Sequence, residues 1–186
     1  MTVNAVPFFR PSIGDAEVEA VAKAMRSGWL TTGPNAAAFE EEFSAQFSGE
    51  VFSIAVNSAT SALHLGLEAL GVGPGDEVIV PTLTFTATAE VVRYLGATPV
   101  FVDIDIDTLC IDLDAVERAM TKKTKVIMPV HYAGRPCDLT NLSKIAKKNN
   151  LKILADAAHA LPASHKGSLI GDGLSLIHIS EPTRPY

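Results

Sequence analysis

The chain has 186 residues, of which 47% are hydrophobic and 19% are charged, and its formal net charge is −6. This composition fits one globular domain with a buried core, or part of a larger one, and it excludes a disordered chain. The negative charge argues against nucleic acid and anionic membranes as partners, because both require a basic patch. No secretory signal or transmembrane run is visible, so we expect a cytoplasmic protein.

The first part of the chain predicts two helices joined by a loop. Asp15 begins a helical pattern whose apolar residues share one face, and Gly28 occupies the position that ends helices. The loop GWLTTGPN follows. A second helix carries phenylalanines every four residues, and we expect this aromatic stripe to lie in the core: Phe39, Phe43 and Phe47.

From Val51 onward, short apolar runs alternate with helical patterns of about ten residues. Such alternation predicts βαβ units and a mainly parallel sheet with helices on its faces, a three-layer α/β fold. The predicted strands cover residues 51–56, 77–81, 98–104, 125–130 and 151–155, and the predicted helices cover residues 61–70, 86–95, 113–120 and 139–148.

Three short motifs do not have the context that a ligand site requires. Cys110 and Cys137 lack CxxC spacing, which argues against a metal or redox role. The glycine string at 71–75 precedes a predicted strand, whereas a dinucleotide fingerprint follows one, so it indicates a turn. The aspartates at 103–107 mimic a calcium loop, but Thr108 stands where glycine is needed and the intervening isoleucines look like strand residues. We therefore predict no metal site.

Chemically useful groups follow the predicted strands. The segment Asn57 to Ser61 opens a helix and offers free backbone N–H groups to an anion, although ordinary capping by Ser58 or Thr60 explains it equally well. Phe85 follows the next strand, where its ring is able to cover a flat heterocycle, although a lone phenylalanine is usually core.

Asp156 directly follows the last predicted strand, and His159 comes three residues later. In open α/β sheets, chemistry collects where parallel strands end. A carboxylate there is suited to hold a proton on a cofactor ring nitrogen, as the aspartate partner of pyridoxal phosphate does. His131 follows another strand and by itself indicates a hydrogen-bonded structural histidine. A phosphorylated pyridine would fit these groups together: the helix N-terminus for the phosphate, the Phe85 ring for the pyridine face, the Asp156 carboxylate for the ring nitrogen and a nearby imidazole.

Long stretches of the chain resemble the DegT-type nucleotide-sugar aminotransferases, of the pyridoxal-phosphate fold type that includes aspartate aminotransferase. The resemblance extends from about Pro7 to Gly173. It implies the large cofactor-binding domain of that fold and the cofactor pyridoxal 5′-phosphate. The matching segments are SGWLTTGP at 27–34, VNSATSALHLGLEALGVGPGDEVIVPTLTFTATAE at 56–90, YLGATPVFVDID at 94–105, PVHYAGRPCD at 129–138 and DAAHAL followed by KG at 156–167.

The resemblance also implies roles for individual residues. Ala59 and Thr60 hold the cofactor phosphate, Phe85 stacks on the pyridine ring, Asp156 pairs with the ring nitrogen, and His159 lies beside the ring hydroxyl.

Substrate and assembly are likewise implied by the resemblance. Thr31 and Thr32 border the sugar-nucleotide pocket. The motif sequences NSAT and HYAG most resemble the branch that aminates UDP-linked 4-keto-6-deoxy sugars for cell-surface polysaccharides. The expected amino donor is glutamate, and the expected assembly is a homodimer.

The chain departs from the family pattern after Gly173. The Schiff-base lysine expected beyond this point is missing, Lys166 being the last lysine, and residues 174–186 resemble a translated sequencing adapter. We therefore expect an N-terminal segment (1–50), an incomplete cofactor-binding domain (51–173), a non-native tail, no small C-terminal domain and no turnover. A related sugar dehydratase, with histidine at the anchor position, and a non-catalytic binding protein remain alternatives.

Overall fold

The computed structural model describes residues 11–48 and 51–171, together with the backbone of a strand at 176–178. The described residues form two compact units. Residues 11–46 and 51–55 belong to the first, and residues 47–48, 56–171 and 176–178 belong to the second. The division at residues 50, 173 and 174 that the sequence suggests stays a prediction.

The first unit contains α1 (Asp15–Ser27) and α2 (Pro34–Ser44). Glu17 begins α1 by accepting a 2.7 Å hydrogen bond from the backbone N–H of Gly14. The helix ends where the sequence predicts, because Gly28 adopts a left-handed conformation with φ of 74°. Its apolar stripe is exposed in this structure: Val18 (60%), Val21 (61%) and Met25 (65%).

The aromatic stripe of the second helix is only partly as predicted. The rings of Phe39 and Phe43 stack with centroids 5.7 Å apart. Phe39 is nevertheless 57% exposed, so its expected place in the core is wrong. Phe47 is buried at 8% exposure, as expected, although α2 ends at Ser44 and Phe47 lies beyond the helix.

The strand predicted at 51–56 is not a strand. The segment has no regular secondary structure, and no strand pairs with it in the described part of the chain. Its recorded bonds go to α2 instead: the N–H of Ala55 donates to Glu40 Oε1 at 2.8 Å, and Ser44 Oγ donates to Ser53 Oγ at 2.8 Å. Alternating apolar residues predict extension, whereas a strand also requires a partner for its backbone groups.

Among the described residues, the second unit contains a parallel sheet and four α-helices. Its helices are α3 (Ala59–Ala69), α4 (Thr86–Tyr94), α5 (Leu113–Ala119) and α6 (Leu139–Lys148). Its strands are β1 (Glu77–Pro81), β2 (Thr98–Val102), β3 (Thr124–Ile127), β4 (Lys152–Asp156), β5 (Ser164–His165), β6 (Ser168–Leu169) and β7 (Leu176–His178). Five of these strands form the parallel sheet in the order β2-β1-β3-β4-β7, and β5 and β6 form a separate antiparallel pair.

The sheet separates two apolar layers, which confirms the three-layer α/β fold. Side chains along a strand alternate between its faces. Val78 and Val80 of β1 accordingly pack in the cluster that contains residues of α3 and α4. Ile79, between them, packs in the cluster that contains residues of α5 and α6.

The strand order creates a switch point between β1 and β3. The chain leaves β1 in one direction to form β2 and then returns past β1 to form β3 and β4. Right-handed crossovers in opposite directions place α4 on one face and α5 and α6 on the other. The crevice at the carboxyl ends of the strands at such a point is where open α/β sheets bind ligands.

The terminal segment adds an edge strand. Leu176 to His178 pair in parallel with β4, and the Cα partner of His178 is Asp156. Such a short strand agrees with the β-propensity of this apolar run. The remaining residues of the expected non-native tail lie outside the described residues.

Candidate functional site

Three polar or aromatic segments meet the carboxyl edge of the sheet. Phe85 follows β1, His131 follows β3, and Asp156 ends β4. Because the strands are parallel, their carboxyl ends share one edge. The helix α3 leads into the amino end of β1 and packs on the same sheet, so its N-terminus points toward this edge.

Asp156 is a buried carboxylate, with only 6% of its surface exposed. Its Oδ2 accepts a 3.0 Å hydrogen bond from Thr88 Oγ1 of α4, and its Oδ1 accepts one of 3.2 Å from the backbone N–H of Ala158. Strand alternation places Asp156 on the same face as Leu154, which packs with α3 and α4. The fold therefore orients a buried acid at the switch-point edge.

Thr88 is a site residue that the sequence reading missed. It is fully buried, and its Oγ1 lies 2.6 Å from Thr84 Oγ1. The available signal was a threonine at helical spacing from the apolar Val91 and Val92, since a polar residue on a buried stripe requires a partner.

Phe85 is not a core residue. It is the residue before α4 and is 66% exposed. The exposed ring lies three residues before Thr88, which donates a hydrogen bond to Asp156, and its stacking role stays a prediction.

The N-terminus of α3 is capped by a side chain and still has backbone N–H groups without a partner among the described residues. Ser58 caps the helix, because its Oγ accepts a 3.2 Å hydrogen bond from the N–H of Ser61. Within residues 11–48 and 51–171, no hydrogen bond is formed by the N–H groups of Ala59 and Thr60. Capping therefore uses one N–H group and leaves two for an anion.

His131 is the structural histidine that its sequence context indicates. It is 1% exposed, and its Nδ1 accepts a 3.1 Å hydrogen bond from the N–H of Cys137. Burial lowers its pKa to about 4, an effect that His165 reinforces and the Asp156 charge opposes. The ring is therefore neutral at pH 7, with its proton on Nε2, which has no hydrogen-bond partner among the described residues.

His159 is exposed and follows Asp156 by three residues. Its carbonyl oxygen lies against Gly134, where an added Cβ would approach it to 2.9 Å and where φ is 81°. Only glycine fits this close contact between the two segments. The role of His159 beside a ring hydroxyl stays a prediction.

Thr31 and Thr32 belong to the first unit, and both are exposed. Their loop is fastened by Trp29, whose Nε1 donates a 3.1 Å hydrogen bond to the carbonyl oxygen of Thr32. The same indole lies over Gly33, where a Cβ would overlap it. The loop therefore has a defined form, and the substrate role of the two threonines stays a prediction.

The two cysteines are brought together by the fold. Both are buried, and the interaction between their neighbouring thiols lowers the pKa of Cys110 to about 7 and raises that of Cys137. Within the described ranges, no group of three potential ligands is placed to hold a metal ion. In the aspartate segment, Asp105 Oδ1 accepts a hydrogen bond from the backbone N–H of Thr108. Ile106 lies in a turn and not in a strand.

A family model for the DegT/DnrJ/EryC1/StrS aminotransferases matches residues 11–180. The chain belongs to this family. Spr1654 of Streptococcus pneumoniae, assigned as a sugar aminotransferase, is 41% identical in its apo form, with a TM-score of 0.90 over 94% of this chain and 48% of its own. The resemblance found in the sequence is therefore confirmed.

Two further solved structures are similar to this chain. DesV of S. venezuelae is 42% identical, with a TM-score of 0.81, and the match covers 85% of this chain and 43% of DesV. NtdA of Bacillus subtilis, solved with bound pyridoxamine phosphate (PMP), is 38% identical, with a TM-score of 0.79, and the match covers 87% of this chain and 38% of NtdA. The chain thus spans less than half the length of these relatives. No described helix combines the length and apolar character that crossing a membrane requires.

Proposed function

We propose that this chain carries the cofactor-binding part of a pyridoxal-phosphate-dependent aminotransferase that acts on a nucleotide-linked keto-sugar. The observation that carries the proposal is the buried Asp156 carboxylate, held by Thr88 at the switch-point edge. A buried carboxylate that is oriented by hydrogen bonds at a ligand-binding edge suits a ligand bearing a protonated ring nitrogen.

The neighbouring groups fit the rest of the cofactor. The unpaired N–H groups of Ala59 and Thr60, at a helix N-terminus, suit the phosphate. The exposed ring of Phe85 offers a stacking surface for the pyridine, and His159 follows the ring-nitrogen carboxylate closely enough in the chain to reach the same ligand.

When bound, the cofactor supplies an electron sink for carbanionic states of the substrate. Asp156 favours a proton on the ring nitrogen and thereby strengthens that sink. The hydrogen bonds from Thr88 and Ala158 fix the carboxylate before the ligand arrives, so its orientation costs nothing during the reaction.

The substrate part of the proposal draws on the relatives, of which Spr1654 is a sugar aminotransferase by description. We infer a UDP-linked 4-keto-6-deoxy sugar as amino acceptor and glutamate as donor, in the cytoplasmic synthesis of amino sugars for cell-surface polysaccharides. Thr31 and Thr32 are the inferred sugar-nucleotide contacts. The description of Spr1654 as a sugar aminotransferase favours amino transfer over the dehydratase and binding-only alternatives.

We also infer a homodimer. The stripe of Val18, Val21 and Met25 on α1 is more than half exposed at each position, and an apolar helix face of this kind is usually covered in a stable assembly.

The test measures the binding of PMP to this chain, with the fluorescence of the ligand as the readout. We expect Asp156→Asn to weaken binding by about tenfold to a hundredfold, because a charge-assisted hydrogen bond to the ring nitrogen is lost. The matched control is Asp103→Asn, since Asp103 follows β2 at the same edge of the sheet and is exposed. This control variant should bind PMP like the unchanged chain.

Equal PMP affinity in the Asp156→Asn variant and the unchanged chain would contradict the assignment of Asp156. Equal losses in both variants would point to a general charge effect at this edge rather than to a specific contact.

A further inference from the structure

Two successive hydrogen bonds connect the start of α4 to Asp156, the carboxylate proposed to pair with the ring nitrogen. Thr84 Oγ1 lies 2.6 Å from Thr88 Oγ1, and Thr88 Oγ1 lies 3.0 Å from Asp156 Oδ2. Thr88 and Asp156 are buried, at 0% and 6% exposure, so water does not compete freely for these bonds. The Thr88–Asp156 contact joins residues 68 positions apart in the sequence.

The number of hydroxyl hydrogens fixes the donor and the acceptor in each of these two hydrogen bonds. Each threonine hydroxyl has one hydrogen, and an ionised carboxylate only accepts. Thr88 must therefore give its hydrogen to Asp156, and the hydrogen between the two hydroxyls must come from Thr84. Successive bonds in one direction polarise each other, which strengthens the bond to the carboxylate.

The same short segment also carries the exposed aromatic ring. Phe85 immediately precedes α4, and its carbonyl oxygen accepts a 3.1 Å hydrogen bond from the N–H of Thr88. A displacement of this first helical turn would therefore move both the ring surface and the hydroxyl that holds Asp156.

We propose that Thr88 is a positioning residue for the cofactor, which acts by holding Asp156 Oδ2 in the orientation that meets the ring nitrogen, with Thr84 as the polarising donor behind it. This inference rests on the proposed function, in which Asp156 pairs with the ring nitrogen. Thr88 itself touches no reacting atom. Its effect is confined to the interaction between the carboxylate and the ring nitrogen.

The experiment compares two ligands on the full 186-residue chain. PMP contains the ring nitrogen, and 1-deaza-pyridoxamine phosphate has a carbon in its place. The ratio of the two affinities isolates the contact with the ring nitrogen. We expect the unchanged chain to prefer PMP, Thr88→Val to reduce that preference by about tenfold, and Thr88→Ser to retain it because the hydroxyl is kept.

Each outcome has one meaning. If Thr88→Val weakens both ligands by the same factor, Thr88 is only structural and the proposal is overturned. If the unchanged chain binds neither ligand or shows no preference, the proposed function itself fails, and the role of Thr88 fails with it. Circular dichroism checks folding, and Thr88→Ala replaces Thr88→Val if the larger apolar side chain prevents folding.

Discussion

At the scale of one residue, the burial of His131 makes the stability of the folded chain depend on pH. Its ordinary pKa of 6.5 falls to about 4 in the folded chain, mainly through burial. The unfolded chain therefore binds a proton between these values while the folded chain does not. Stability from neutral His131 is complete above pH 6.5 and is lost as the pH falls toward 4.

We expect this single group to make the folded chain roughly 2 kcal/mol less stable at pH 5 than at pH 7. Urea unfolding at the two pH values measures the difference. The variant His131→Asn lacks the titrating ring, so its pH dependence should be smaller by that amount, whatever its absolute stability. An unchanged pH dependence in the variant would rule out His131 as the cause.

At the scale of the element, the N-terminus of α3 separates a stabilising group from the proposed binding groups. Ser58 Oγ caps the N–H of Ser61, whereas the Thr60 hydroxyl makes no recorded hydrogen bond within the described residues. We expect Ser58→Ala to lower the free energy of unfolding by about 1 kcal/mol. The matched variant Thr60→Ala should change it by less than about half of that.

Urea unfolding at pH 7 measures both variants. A stability loss in Thr60→Ala as large as that in Ser58→Ala would show that the Thr60 hydroxyl also caps the helix, and it would weaken the assignment of Thr60 to phosphate binding.

At the scale of the whole molecule, we expect self-association through the exposed stripe of α1. Sedimentation velocity should show dimers or larger species, and Val21→Glu should shift them toward monomer, because burying a carboxylate without a partner is costly. Lys23→Glu is the control, since Lys23 lies on the opposite side of the helix and also becomes acidic. A clean monomer for the unchanged chain would contradict the homodimer.

Local sequence determined most of the secondary structure. The predicted helix 139–148 coincides with α6, and Gly28 ends α1 because its positive φ suits glycine. These features depend on residues within one or two turns of the chain. The family resemblance, carried by long matching segments, likewise indicates Asp156 and Phe85 from the sequence alone.

Tertiary structure decided what depends on distant residues. The segment 51–56 has the pattern of a strand but no neighbouring strand among the described residues, so the pattern alone was insufficient. Cys110 and Cys137 lack a recognisable spacing, yet their thiols meet because the fold brings their two segments together.

Thr88 is the clearest case, since its partner Asp156 lies 68 residues away. Helical periodicity places Thr88 on the buried face of α4, but only the packing of that helix on the sheet selects the oxygen that receives its hydrogen bond. The sequence by itself therefore determined the acid of the candidate site, and the tertiary structure determined what orients it.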